Sequence, residues 1–374
     1  MRFSFIIPVY NAPAVNECTE SLLEGLSADD EIILIDDGSE KFIADLCDRI
    51  AARDSRIRVI HQRNQGASAA RNRGILESRG SLLMFADADD RVGPEIISQA
   101  SAVFSQPQPP DLLIFEHTAA FYDHGVCTRQ EIRRLPAEGM ITVQESAARL
   151  QDFFVCNALS PLWNKVFRKD ILRQAGLLLN TSMTVYEDLE FTLRYLAHCR
   201  NLYCLQETGY LYRVEEKKNN SGRRLRNIQD IGEILLPLSD ALGEMGSVFG
   251  GTENRTYSKQ KDRVMQKLFL ILAREKLSVT GYSRIKDQCR KMRRLLREAG
   301  IRRNGIMSPG EAMLVSRIEN NKVLRIWLER RYAAVRHSAA VLIKGMGVRI
   351  RGRQQCKACA CMNTGVRKQN KHEH

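Results

Sequence analysis

Between residues 3 and 116 short apolar runs alternate with longer segments of mixed polarity. The runs at 3–8, 31–36, 57–61, 81–86 and 111–115 have the length of buried strands, and the segments between them, about 14–26, 40–53, 67–78 and 94–105, have the length of helices. Within 40–53, Phe42, Leu46 and Ile50, with Ile43 and Cys47 beside them, recur at three- and four-residue spacing, which predicts a helix docking on a sheet. This β-α-β rhythm predicts an α/β fold, a Rossmann-like, mostly parallel sheet with helices on both faces. Such sheets bind ligands beyond the carboxyl ends of their strands, so the residues just after each run are the candidate chemistry. Here those ends read Pro8-Val9-Tyr10-Asn11, Asp36-Asp37-Gly38-Ser39, Asn64-Gln65-Gly66-Ala67-Ser68 and Asp87-Ala88-Asp89-Asp90. All four are expected to converge on one rim.

From 117 to 216 the rhythm weakens into mixed segments around Trp163, a helix-like run at 187–198 and a strand-like run at 202–213, the remainder of the same domain. Lys217-Lys218-Asn219-Asn220-Ser221-Gly222 is a polar break and a natural boundary. Beyond it the pattern predicts helices at about 224–246, 255–278, 282–299, 309–319 and 322–346, and residues 351–374 lack hydrophobic periodicity, as a disordered tail would. The expected division is therefore 1–216, 223–350 and the tail. Charge divides the chain at the same place. Residues 1–216 carry 22 Lys and Arg against 31 Asp and Glu, net −9, while 217–374 carry 35 against 13, net +22.

A chain of 374 residues with 44% hydrophobic and 27% charged residues is globular in composition, which excludes disorder throughout. Its net +13 admits an acidic partner: nucleic acid, anionic lipid or a phosphorylated substrate. The apolar run of the N-terminus is too short for a signal peptide, and no window approaches the ~18 apolar residues of a spanning helix, so a soluble or peripheral cytoplasmic protein is expected. Seven cysteines, Cys18, Cys47, Cys127, Cys156, Cys199, Cys204 and Cys289, are scattered singly, as reduced thiols are.

Asp87-Ala88-Asp89 is the sharpest motif. Aspartates two apart at a strand end share a side, and both can reach a hard divalent cation shared with substrate phosphates; they can equally cap the helix that Pro94 opens. After the second strand, a carboxylate at Asp36 or Asp37 can accept the ring N–H of a pyrimidine while Gly38 turns the backbone, or the segment can be a turn with Ser39 as helix cap. Tyr10 can face a ligand or be a half-buried aromatic, and Asn11 can do the same or cap the next helix. Gly66 supplies a flexible turn, and Arg71 and Arg73 bring guanidinium groups near the rim, able to pair with phosphate oxygens or simply to face solvent. Trp163 can stack on a sugar or sit in the core. Glu187 and Asp188 can serve as a base pair of carboxylates or as acidic residues favoured at a helix start.

Together, in this order and spacing, the motifs of residues 3–116, and more loosely those to about 213, resemble the family 2 glycosyltransferases of the GT-A fold. The resemblance implies an inverting enzyme that moves a hexose or N-acetylhexosamine from a nucleotide-diphosphate sugar, expected to be a UDP-sugar, to a hydroxyl of a glycan or lipid-linked acceptor in bacterial surface polysaccharide assembly. By position, it implies that Pro8, Tyr10, Asn11 and Asp37 hold the nucleoside, with Asp37 reading the base, that Arg71 lies near the diphosphate and Asp87 near the ribose and metal, and that Asp36 and Gly66 belong to the same nucleotide-sugar site. Asp89, with Asp87, would hold Mn²⁺ or Mg²⁺. The family's base comes from a late Glu-Asp pair, which Tyr186-Glu187-Asp188-Leu189-Glu190-Phe191 matches, with Asp188 as base and Glu187 in support. The rivals are a sugar-phosphate nucleotidyltransferase, whose Gly-rich loop Tyr10-Asn11-Ala12-Pro13 does not supply, and a catalytically silent sugar- or nucleic-acid-binding protein.

The basic second region offers Arg325, Arg330, Arg331, Arg336 and Lys344 interleaved with apolar residues, either an amphipathic helix for an anionic membrane surface or a helical subdomain with solvated charges. Nucleic acid is disfavoured because no recognition module accompanies the charge. Cys356, Cys359 and Cys361 are spaced too tightly for the usual zinc knuckle and are expected to be exposed thiols.

Overall fold

The computed structural model describes residues 2–183, 185–215 and 229–276, with Arg290, Lys291, Arg294, Glu298 and Ala299 beyond them. The polar break at 217–222, the expected helices at 309–319 and 322–346, the tail and its three cysteines lie outside the described residues. In chain order the elements are β1 (Phe3–Val9), α1 (Val15–Leu23), β2 (Glu31–Asp37), α2 (Lys41–Ala51), β3 (Ile57–Gln62), α3 (Ala67–Glu77), β4 (Leu82–Phe85), β5 (Arg91–Val92), α4 (Pro94–Phe104), β6 (Leu112–Phe115), β7 (His117–Asp123) and β8 (Val126–Arg133). They continue with β9 (Gly139–Thr142), α5 (Val143–Ala148), α6 (Leu150–Val155), β10 (Lys165–Arg168), α7 (Lys169–Ala175), α8 (Glu187–Leu196), β11 (Asn201–Leu205), β12 (Tyr210–Glu215), α9 (Gln229–Ser247) and α10 (Gly251–Lys276).

An eight-stranded sheet runs β3-β2-β1-β4-β10-β6-β11-β9. β3, β2, β1, β4, β6 and β11 share one direction, and β10 and β9 run against it. Alternation along β1 explains the two-sided cover: Phe3, Phe5, Ile7 and Val9 join the cluster that holds Ile43, Cys47 and Ile50 of α2 and Ile96, Ile97 and Ala100 of α4. Ile6 joins the opposite cluster, with Ala70 and Ile75 of α3. There α3 lies almost on the sheet, since a Cβ at Gly74 would fall 2.2 Å from Ile6 Cγ2, so only glycine fits. In α2 the buried stripe is Ile43, Cys47 and Ile50, while Phe42 is 66% exposed; one residue of helix rotation carries it round to the solvent side.

A second sheet, β5-β12-β7-β8, stands beside the first. The strand expected across 202–213 is two strands in different sheets, β11 in the large and β12 in the small. The chain changes sheets at Gly209, where a Cβ would meet Ile96 Cγ1 at 2.5 Å, so the backbone turns hard against α4. The helices that open the basic region pack on the α/β body. Ile234, Leu235, Leu238 and Leu242 of α9 share one buried cluster with Leu189, Phe191 and Leu196 of α8, and α10 packs on α9, α5 and α6. Among the described residues no helix is long and apolar enough to cross a membrane, and the described cysteines, from Cys18 to Cys204, are free thiols.

Candidate active site

The carboxyl ends of β1, β2 and β4 border a cleft of about 600 Å³ lined by Pro8, Val9, Tyr10, Asn11, Asp37, Ala67, Arg71, Asp87, Asp89, Arg213 and Glu215. Tyr10 is exposed on its wall. Asn11, in the left-handed region at φ 51°, ties two strand ends together: its N–H donates to Ser39 Oγ (3.0 Å), and its Oδ1 accepts from the N–H of Glu40 (2.7 Å) at the start of α2. Neither Asn11 nor Ser39 is a helix cap: the N-caps of α1 and α2 are Ala14 and Glu40.

Adjacent strand positions send Asp36 and Asp37 apart. Asp37 reaches the cleft, with Oδ1 accepting from Gln62 Nε2 (2.8 Å) and the N–H of Gln65 (2.9 Å), and Oδ2 from the N–H of Gly66 (2.8 Å). Those bonds hold the loop before α3, where Gly66 takes φ +90°, and Gly66 itself is not part of the cleft lining. Asp36 is not part of it either. It accepts from the N–H of Ser39 (3.0 Å) and pairs with His61 Nδ1 (2.7 Å); burial raises its carboxyl, but these hydrogen bonds hold it below the usual range.

Arg71 is the centre of the site. Buried on α3, its Nη2 lies 3.0 Å from Asp87 Oδ1 and its Nη1 lies 3.3 Å from Asp188 Oδ1. One guanidinium thus joins the aspartate turn after β4 to the Glu-Asp pair at the start of α8, with Arg71 and Asp188 117 residues apart in sequence. The next residue fixes the approach to α8, because the Asn72 amide donates to Leu179 O (2.9 Å) and accepts from Leu179 N–H (2.7 Å). Arg73, in contrast, pairs with Glu77 on the surface. At the head of α8, Tyr186 adopts φ 62°, a left-handed conformation uncommon for a bulky residue and typical of functional sites that hold local strain. Glu187 and Asp188 come next, in the first turn. Burial pushes the Asp188 carboxyl up to about 7, with Glu187 and Asp87 adding to the effect and Arg71 and Lys165 opposing it.

Asp87 and Asp89 both face the cleft, and Asp89 is exposed. Among the described residues no group of three or more metal-ligating side chains occurs. A pair of carboxylate donors facing a cleft suits a cation that takes its remaining oxygens from water and substrate phosphates rather than from a closed protein cage. The third aspartate is structural. Asp90 is buried, accepts from Tyr210 Oη (2.8 Å) and from the N–H of Arg213 (2.8 Å), and is pushed up to about 8 by burial and by Asp87. Tyr210 Oη in turn accepts from the N–H of Asp87 (3.1 Å). Asp90 thereby brings β12 to the cleft and with it Arg213 and Glu215, which sequence motifs do not reveal. Trp163 is a core residue, stacked on Tyr210 at 4.3 Å between ring centroids and on Tyr212 at 5.2 Å.

Lys165 is wholly buried. Its ammonium donates to the carbonyls of Ala158 (2.6 Å) and Pro161 and to Asn164 Oδ1 (2.7 Å), and burial brings it down to about 7.

A mostly parallel sheet with helices on both faces and strand-end aspartates at a polar cleft is a GT-A-type α/β arrangement. Residues 4–160 match the sequence model of glycosyl transferase family 2. The chain is 32% identical over 212 residues to an uncharacterised glycosyltransferase, EpsJ, of Bacillus subtilis (strain 168), covering 56% of this chain and 60% of EpsJ. It is 29% identical over 214 residues to the putative glycosyltransferase EpsH of the same organism, again covering 56% and 60%. The chain thus spans about 60% of the length of these curated relatives. In fold it is similar to residues 1–349 of S. aureus TarS in complex with UDP, with TM-score 0.64, 16% identity, and coverage of 89% of this chain and 92% of that one. The same TarS segment in complex with UDP-GlcNAc gives TM-score 0.63 at 16% identity and the same coverage.

Proposed function

We propose that the chain is an inverting, metal-dependent glycosyltransferase that moves a hexose or N-acetylhexosamine from a UDP-sugar to a hydroxyl of a glycan or lipid-linked acceptor, at the cytoplasmic face of a membrane where surface polysaccharide is assembled. The observation that supports it is the Arg71 guanidinium, which lines the cleft with Asp87 and also pairs with Asp188, a residue that does not itself line the cleft, so that the proposed donor-side carboxylate and the proposed base share one cation. The UDP and UDP-GlcNAc complexes of the similarly folded TarS support a uridine donor.

Pro8, Tyr10, Asn11 and Asp37 would enclose the nucleoside. Asp87 and Asp89 would hold a Mg²⁺ or Mn²⁺ ion, which when bound supplies neutralisation of the diphosphate leaving group. Asp188 accepts the acceptor hydroxyl's proton as its oxygen attacks the anomeric carbon from the face opposite the diphosphate, and a carboxyl near 7 is poised for that transfer at neutral pH. Arg71 holds the carboxylate in place and keeps it ionisable, and Glu187 adds negative charge beside it. The basic region after residue 217 would hold the enzyme on anionic lipid, each surface cation contributing roughly 1 kcal/mol.

The test is release of nucleoside diphosphate from a panel of nucleotide sugars, with and without glycan acceptors and with and without chelator. Acceptor-dependent UDP release that needs Mg²⁺ or Mn²⁺ is expected. Pyrophosphate release from a nucleoside triphosphate and sugar phosphate would mark a nucleotidyltransferase instead, and tight donor binding without turnover would mark a silent binding protein. Co-sedimentation with anionic but not neutral vesicles, weakening with salt, is expected if the basic region serves as the anchor.

A further inference from the structure

At the opposite end of the large sheet from the cleft lies a second recess of about 520 Å³, between the first residue of β4, the last residue of β10 and the end of α4. Its lining includes the apolar Leu82 and Phe104, the cations Arg79, Arg168, Lys169 and Arg173, and one carboxylate, Asp170. Four cations in one recess are out of character for residues 1–216, which carry net −9. Only part of this charge is met by the protein. Arg168 is neutralised by Asp111 (3.1 Å) and Asp170. Lys169 donates to the carbonyl of Ser78, which carries no charge to match. The Arg79 and Arg173 side chains have no hydrogen bond or ion pair among the described residues; at Lys169 burial disfavours the charge, Glu31, already paired with Arg58 (3.1 Å), favours it, and Arg173 adds to the effect of burial. Like charges gathered beside apolar side chains are stabilised by a multivalent anion that each cation can approach.

We propose that this recess binds a phosphate-bearing ligand, held by Arg79, Lys169 and Arg173, at a site separate from the donor cleft. The phosphate can belong to a soluble organic phosphate or to a lipid headgroup. The recess and the cleft open at opposite ends of the sheet, so a ligand here does not compete for the residues around Arg71. It would act on the enzyme through β4, whose other end leads into the Asp87 turn.

Pyridoxal phosphate is a direct probe, because its aldehyde condenses with an unprotonated lysine, losing water, and borohydride reduces the imine to a stable amine that peptide mass spectrometry locates. In the full chain, Lys169 should be labelled at least tenfold faster by pyridoxal phosphate than by pyridoxal, a preference that the exposed Lys41 should lack. Arg79→Gln with Arg173→Gln should remove most of that preference; neither side chain supports the fold through a bond, and an unchanged far-ultraviolet circular dichroism spectrum and melting temperature would confirm it. Protection of Lys169 by inorganic pyrophosphate in excess chelator would identify a soluble phosphate as the ligand. Protection only by phosphatidylglycerol vesicles, and not by phosphatidylcholine ones, would identify a headgroup. Equal labelling by pyridoxal and its phosphate, the same preference in the double variant, or protection by neither probe would overturn the proposal.

Discussion

Replacing Arg71 by Met tests whether the shared guanidinium sets the working protonation state of Asp188. The two groups are 3.3 Å apart, and Asp188 keeps 27% of its side chain exposed. At an effective dielectric near 20, a unit charge pair at that distance is worth about 5 kcal/mol, but solvent access weakens it, and an aspartate beside an arginine is typically lowered by about 1–3 pKa units. Loss of the cation therefore moves the Asp188 carboxyl from about 7 up by that amount. At pH 7 the ionised fraction falls from about a half to between about 10% and 0.1%, a loss of roughly 5- to 500-fold in rate. The pH profile of kcat/KM for acceptor is the assay, because its acid limb reports the base of the free enzyme. In the parent the limb should rise through about 7 as Asp188 deprotonates. In Arg71→Met it should shift to higher pH, with activity recovering as pH rises. The substitution also strips a buried cation from two carboxylates, a change that can cost about 3–5 kcal/mol, so melting temperature must be read alongside. Arg71→Lys retains the charge and should leave the limb near its parental position while lowering kcat through lost geometry. An unshifted limb in a folded Arg71→Met enzyme would refute the coupling.

Asp188→Asn should retain donor binding by calorimetry and lower turnover about 100- to 10,000-fold, with Glu187→Gln doing less harm; the reverse order would make Glu187 the base. Asp89→Ala should abolish transfer and metal-dependent UDP binding with an unchanged circular dichroism spectrum, and undiminished turnover would count against a cation on that carboxylate. The folded chain releases the Lys165 proton near 7 and the unfolded chain near 10.5, so this group makes stability rise with pH between those values. Lys165→Met should flatten the rise in melting temperature with pH across that window, and at pH 7 should lose about 1–3 kcal/mol for each buried acceptor left without a donor. Leu238→Ala empties a fully buried position between α9 and the α/β body and should cost about 2–5 kcal/mol in denaturant unfolding; a near-zero cost would mean that α9 does not share that core.

Strand and helix periods are local, and the polypeptide obeys them locally. The runs at 3–8, 31–36, 57–61, 81–86 and 111–115 become β1, β2, β3, β4 and β6 because each is a stretch of apolar or β-branched residues bounded by turn formers. Pro8, Tyr10, Asn11, Asp37, Arg71, Asp87 and Asp89 lie at or just beyond the carboxyl ends of those strands or in the first turns of the next helix. A parallel sheet gathers its strand ends along one edge, so the meeting of these residues at one cleft was legible. Which way each side chain turns was less so. Asp36 and Asp37 are adjacent and chemically alike, yet the pleat sends one to His61 and the other to the cleft, a choice that depends on the register of β2 against its neighbours. Arg71 and Arg73 differ by about 200° of helix rotation, which separates a buried bridge from a surface pair. The remaining contacts are long-range. Asp90 draws in Tyr210 and Arg213 from more than 100 residues away, and Arg71 meets Asp188 only because α3 and α8 pack on the same face of the sheet. Pairings of that kind arise from the packing of whole elements. No spacing along the chain encodes them, which is why the Asp-x-Asp turn and the Glu-Asp pair could each be found in the sequence while the guanidinium that joins them was visible only in the folded molecule.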